Sequence, residues 1–272
     1  MKKEMITMAI VATLFSACAS TNTVVKSSVS EQKTNLTLST AGKGFGPQSP
    51  RDIDVVSGSN TIKFSTAPKY QEMNLCNIHF HKNAEHKGGE FTTSTKSGYK
   101  YSGSLNTKEL TQLPNDVCSG KYGGLNAGDT IELHYVHSTA KVNPGPTLGA
   151  CLSDAIKNPQ LRVEAQVYVL VNDKNALDFT ELTKNEKING FNQAVNIPNT
   201  TGTPVEYAGS TTGPSYNEQG SPFQVTWNVR PKIAKVNIKS VGKWCEANIY
   251  NEDHAHGVRN LVTNPDLISE IK

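Results

Sequence analysis

The chain is mainly β, and three features of the sequence predict it. Runs of strand length with alternating or continuous apolar residues lie at 61–64, 73–81, 130–137, 161–171, 223–229 and 235–239. Helical patterning is sparse and confined to the stretches 148–156 and 176–194, each able to hold a short helix. Glycine and proline mark turns between these runs at 88–89, 123–124, 144–146 and 213–214.

Taken in order, the N-terminus comes first. Lys2 and Lys3 precede an apolar run from about Met5 to Phe15, followed by the small residues of 16–20. This is the pattern of a secretory signal, too short for a membrane span in the mature protein. Two cleavage readings stand. The segment 14–18, LFSAC, resembles a bacterial lipobox that would make Cys18 a lipidated first residue, with Phe15 an unusual occupant. Ordinary cleavage after Ala19 also fits the rules for small residues. We favour lipidation, which places the mature chain in the periplasm or cell envelope, anchored to a membrane. Residues 20–44 are rich in Ser, Thr, Asn and Lys and read as a flexible tether.

The strand at 73–81 runs into the stretch 77–86, NIHFHKNAEH, and the strand at 130–137 lies within DTIELHYVH, 129–137. Side chains two apart in a strand share a face. His79 and His81 therefore point the same way, and so do Glu132 and His134. Pairing the two strands lets three imidazoles converge, with Glu132 behind His134 and Asn77 behind His79. Three neutral nitrogens with one open position suit a catalytic zinc. His137, three residues from His134, faces the other side and is expected to be packed or hydrogen-bonded there. Cys76 is expected to alternate away from His79 and is no ligand candidate.

The segment 88–128 has a weak pattern and reads as an insertion on the core. The run 161–171 has apolar side chains at every odd position, as a central strand does. Five cysteines leave four if Cys18 carries lipid, and an even set in an exported protein implies two disulfides among Cys76, Cys118, Cys151 and Cys245. Three pairings are open, and a simple buried thiol at Cys76 is the alternative. Charge excludes more than it assigns. The 27 basic and 24 acidic residues are interspersed, net +3, so no basic stripe points to nucleic acid.

These residues carry a resemblance to carbonic anhydrases of alpha type. HFHxxxEH followed by ELHxVH is similar to their zinc site. QSPRDI at 48–53, YAGSTTGP at 207–214 and VTW at 225–227 follow the family's order of segments. The spacing departs from the alpha pattern, and the compact CNIHFHKNAEHKGGEF of 76–91 resembles the delta class. The resemblance implies one catalytic domain over 45–272, built on a large, mostly antiparallel central β-sheet with a few short helices. It implies reversible hydration of CO₂ to bicarbonate and a proton through hydroxide on Zn²⁺ held by His79, His81 and His134. By the same likeness Thr212, with Glu85 behind it, would orient the hydroxide, and His86 matches the family's next histidine. A one-residue shift would give that role to Thr211, and Gly213 stands where many members have a second threonine. Val136, Val163 and Trp227 are candidates for an apolar CO₂ pocket. No histidine occurs in 57–60, where many members carry a proton shuttle. His254 and His256 remain, to shuttle protons, bind a second metal or, as expected here, lie on the surface. Cobalt in place of zinc and the oligomeric state stay open. The competing readings are an exported zinc-binding lipoprotein, an inactive carbonic anhydrase-like binding module, and a zinc hydrolase acting on esters.

Overall fold

The computed structural model describes residues 52–54, 65–210 and 224–258. The signal segment with Cys18, the tether, the strand expected at 61–64 and the loop containing Thr211, Thr212, Gly213 and Pro214 lie outside these residues.

The frame is one sheet. β1 (Asn74–Lys82), β4 (Thr130–Ser138), β5 (Leu161–Val171), β8 (Val205–Ser210) and β9 (Gln224–Val229) are ordered β1-β4-β5-β9-β8, and β10 (Ala234–Asn237) also pairs with β5. The β1/β4, β4/β5 and β8/β9 pairings are antiparallel, whereas β9 and β10 both run parallel to β5. The sheet is thus mixed. Every residue of β5 is buried: the odd-position apolar pattern accounts for one face, while the other buries the polar Arg162, Glu164 and Gln166. Two hairpins, β2 (Thr93–Ser94) with β3 (Tyr99–Lys100) and β6 (Asn185–Ile188) with β7 (Phe191–Ala194), stand apart from it.

The expected helices contract. Within 148–156 only a 3-10 turn forms, Leu148–Cys151. Within 176–194 a single helical turn, α1 (Phe179–Leu182), gives way to the β6–β7 hairpin. The reason is Asn189-Gly190, both at positive φ (50° and 84°), the sequence that a tight hairpin turn demands. The run 235–239 is also cut short. Asn237 caps α2 (Ile238–Glu246), its side chain accepting from Lys239 N at 3.0 Å. Ile238, Val241 and Trp244 follow at spacing three and are buried, the spacing of one helix face.

The two faces of the sheet have different cover. On one, Ile78, Phe80, Leu133, Tyr135, Tyr168 and Leu170 pack with Phe179 of α1 and Val241 and Trp244 of α2. The rings of Phe80, Phe179 and Trp244 meet edge-on or tilted at 5.2–5.8 Å between centroids. Each such buried aromatic contributes roughly 1.5–3 kcal/mol by removal from water. The other face gathers Val136, Val163, Val167, Tyr207, Trp227 and Val229, and it carries His79, His81 and His134. Cys76 belongs to that second cluster, contrary to simple alternation. The register of β1 against β4 shifts between Leu75 and Asn77, so one residue is added there. Cys76 is bonded to Cys151, and Cys118 to Cys245. This realises the two expected disulfides, picks one of the three pairings, and overturns the buried-thiol alternative.

Candidate metal centre

The strand register brings the histidines together. His79 lies opposite His134, and His81 opposite Glu132. One nitrogen of each ring is already taken. His79 Nδ1 meets Asn77 Oδ1 at 2.6 Å, His81 Nδ1 meets the Gly257 carbonyl at 3.0 Å, and His134 Nε2 meets Glu132 Oε1 at 2.7 Å. The remaining nitrogens are Nε2, Nε2 and Nδ1. His79, His81 and His134 can offer ligand atoms all within 4.8 Å of one another, and His134 Nδ1 lies 3.3 Å from His79 Nε2. Ligating histidines are ordinarily oriented this way, by a second partner on the other ring nitrogen. Burial lowers the pKa of His79 well below its ordinary value, with His134 and His81 adding to the shift, and burial brings His81 down to about 4. Both rings are therefore neutral donors at neutral pH, the form a metal binds.

Glu132 is the hub behind them and is fully buried. Its Oε2 accepts the backbone N–H groups of Glu85 and His86 at 2.7 and 2.9 Å, and its Oε1 lies 2.6 Å from His86 Nδ1. Burial alone would raise its pKa. The imidazoles of His86 and His134 outweigh that and hold the carboxyl well below its ordinary value. His86 Nε2 in turn meets the Tyr207 hydroxyl at 2.5 Å. A second set, His86, Glu132 and His134, also clusters. There the carboxylate oxygen is already shared by both rings, so the set is a hydrogen-bonded network rather than an open site.

Asn83 at φ 71° turns the chain at the end of β1, a conformation asparagine tolerates better than most residues. That turn folds Glu85 and His86 back beneath Glu132. Glu85 is buried, its Oε2 3.7 Å from His81 Nε2. Val136, Val163 and Trp227 line up across β4, β5 and β9 on the same face. The Trp227 ring lies 5.2 Å from that of His134 and 5.0 Å from that of His86. His137 lies apart from the cluster, fully buried, with Nδ1 on the Tyr135 carbonyl at 3.1 Å and its ring 5.3 Å from Tyr70.

His256 corrects the sequence reading. It lies not on open surface but beside the site, its ring 5.4 Å from His79 and 5.8 Å from His81, with Nε2 on Glu252 at 2.6 Å. Its backbone pairs with the edge of β1, His256 N to Phe80 O and Lys82 N to His256 O, both 2.8 Å. Sequence reasoning missed this segment, the Gly257 carbonyl and the Tyr207 contact. Only the paired HxH of 254–256 signalled anything there.

A family model described as Delta carbonic anhydrase matches residues 70–240, which span every one of these side chains except the 252–257 segment. The chain belongs to the delta carbonic anhydrase family. Solved structures similar to this delta family member include a Photobacterium profundum alpha-carbonic anhydrase at 15% identity, covering 84% of this chain and 93% of that one, with a TM-score of 0.29. An alpha-carbonic anhydrase from Thermovibrio ammonificans in complex with the inhibitor sulfanilamide is similar at 12% identity, covering 71% and 85%, with a TM-score of 0.24. No curated protein matches the chain.

Proposed function

We propose that the protein is a zinc carbonic anhydrase that reversibly hydrates CO₂ to bicarbonate and a proton. Family membership supports the reaction. The observation that carries the zinc reading is the set of three converging nitrogens on His79, His81 and His134, each ring held at its other nitrogen by a separate partner. A borderline-soft ion that accepts tetrahedral nitrogen donors fits this set. Zinc held by three neutral nitrogens supplies, when bound, a Lewis acid that makes an attacking oxygen available at neutral pH; carbonic anhydrases are the standing example of it.

The protein's own residues do the rest. Asn77, the Gly257 carbonyl and Glu132 hold the three rings in one tautomer each. Glu85, buried with Oε2 3.7 Å from His81 Nε2, would accept a hydrogen bond from Thr212, the pair orienting the attacking oxygen as the family resemblance implies. Val136, Val163 and Trp227 form an apolar wall suited to CO₂. We assign residues 45–272 to one catalytic domain and the preceding segments to export and tethering, with lipid on Cys18. The two disulfides accord with an exported protein.

The test is metal analysis with a CO₂ hydration assay on protein lacking residues 1–19. One zinc per chain and hydration activity are expected. His79→Ala, His81→Ala and His134→Ala should each lose metal and activity together, while His137→Ala keeps its zinc. Zinc retained by His134→Ala and lost by His137→Ala would overturn the ligand assignment. Bound zinc without hydration activity would favour the binding-module reading.

A further inference from the structure

One ring partner, Asn77, adjoins the disulfide-bonded Cys76, and another, Gly257, lies in the segment that follows the disulfide-bonded Cys245. Asn77, the partner of His79, donates to the Gly145 carbonyl at 3.0 Å, and Gly145 N donates to the Cys76 carbonyl at 3.0 Å. Cys76–Cys151 closes that loop, and both cysteines are fully buried. The partner of His81 is different. Gly257 belongs to a segment after α2 that adds to the edge of β1 through the two backbone bonds of His256. Cys245, in the last turn of α2, ties the start of that segment to Cys118.

The loop after Cys118 covers the far end of the same segment. Val117 and Leu125 exchange backbone hydrogen bonds at 3.0 and 2.8 Å and close the loop at its base. Lys82 Nζ donates to the Gly124 carbonyl at 2.6 Å and joins it to β1. A Cβ on Gly120 would stand 2.5 Å from His254, and one on Gly257 2.5 Å from the Tyr122 ring. Loop and segment therefore touch with no room for a methyl group. Cys118 itself sits at φ 52°, a backbone conformation that a non-glycine residue holds only when its surroundings enforce it.

We infer that the Cys118–Cys245 disulfide is a positioning staple for the metal centre, holding the Gly257 carbonyl against His81 and so slowing metal loss. The inference rests on the zinc reading above. Cys245 is only partly buried, unlike either member of the other pair, so a dithiol reaches this bond first. A thiolate of the dithiol attacks Cys245 Sγ and Cys118 leaves as thiolate. The second thiol of the reductant then displaces Cys245 and departs as the cyclic disulfide. Two electrons pass to the protein, and the freed thiolates take protons from water. Loss of a ring's second partner weakens metal affinity by roughly 10- to 100-fold.

The test uses the full oxidised protein loaded with zinc and follows zinc release into excess chromogenic chelator. Limited dithiol should reduce Cys118–Cys245 first, as read by alkylation and mass spectrometry, and speed release by about tenfold or more. The Cys118→Ser/Cys245→Ser variant should release zinc as fast without reductant. It should also lose the exchange-protected Nδ1–H signal of His81 in the NMR spectrum while keeping that of His79, a change that general destabilisation does not produce. Gly257→Ala, with the disulfide intact, should shift the carbonyl and give the same two changes, which covers the case of a double variant that does not fold. Wild-type release rates with the His81 signal retained would overturn the staple. Wild-type protein that binds zinc yet lacks CO₂ hydration would overturn the proposed reaction and leave the staple standing. Wild-type protein that binds no zinc would bring down both.

Discussion

Glu132 and His134 stand two residues apart on β4, and Glu132 Oε1 takes His134 Nε2 at 2.7 Å. That bond turns Nδ1 of His134, not Nε2, toward His79. The two histidines of β1 do the reverse and present Nε2. A single carboxylate so decides which nitrogen one ring offers to a metal.

Replacing Glu132 by Gln should therefore act on metal affinity. A glutamine has one acceptor oxygen where Glu132 uses both, two backbone N–H groups on one and two imidazoles on the other. Zinc affinity is expected to fall by roughly 10- to 100-fold, with a lowered thermal midpoint of the apo-protein. A competition titration with a chelator of known affinity measures it. Wild-type affinity in the variant would mean that Glu132 does not orient His134.

Thr212 should behave in the opposite way. If its hydroxyl and the Glu85 carboxylate orient the attacking oxygen, they act on the transition state and leave metal binding alone. Thr212→Ala is expected to keep one zinc and hydrate CO₂ roughly a hundredfold more slowly, about 3 kcal/mol. Thr211→Ala should be nearly neutral. Turnover of both variants at full metal occupancy decides between them, and a large loss at Thr211 alone would shift the alignment by one residue.

His137 offers a pH signature away from the metal. Burial pushes its pKa down to about 3, against about 6.5 in an unfolded chain. Between those values the unfolded chain binds a proton that the folded protein refuses. Stability is thus undiminished above pH 6.5 and declines as pH falls toward 3, by up to about 1.4 kcal/mol per pH unit. Urea unfolding of the apo-protein at pH 6.5 and 5 should show a loss that His137→Phe reduces by about 1–2 kcal/mol. Equal losses in the two proteins would mean that His137 titrates freely in the fold.

Export makes its own prediction. Cys76, Cys118, Cys151 and Cys245 are all bonded, so a mature protein with lipid on the Cys18 sulfur should show no free thiol at all. Metabolic labelling with a fatty-acid probe should mark wild-type protein and not Cys18→Ser. A soluble mature form beginning at Ser20 would exclude the lipid.

The sequence by itself determined the parts of the site that depend on local period. Side chains two apart on a strand share a face, so His79 with His81, and Glu132 with His134, were legible as pairs before any pairing partner was known. The apolar odd-position face of β5 and the segregation of His137 followed from the same rule. Order of motifs along the chain carried the family. Tertiary structure alone decided what closes over that face. It moved Cys76 into the site-side cluster through the β1 bulge, whereas the Asn189-Gly190 hairpin turn after α1 and the Asn237 cap of α2 are local signals that the sequence already holds. Above all, it brought His256 and the Gly257 carbonyl to β1 from 176 residues beyond His81. A backbone carbonyl leaves no mark on a sequence, because every residue has one. Which carbonyl meets a ring nitrogen depends on chain packing over distances that no local period encodes.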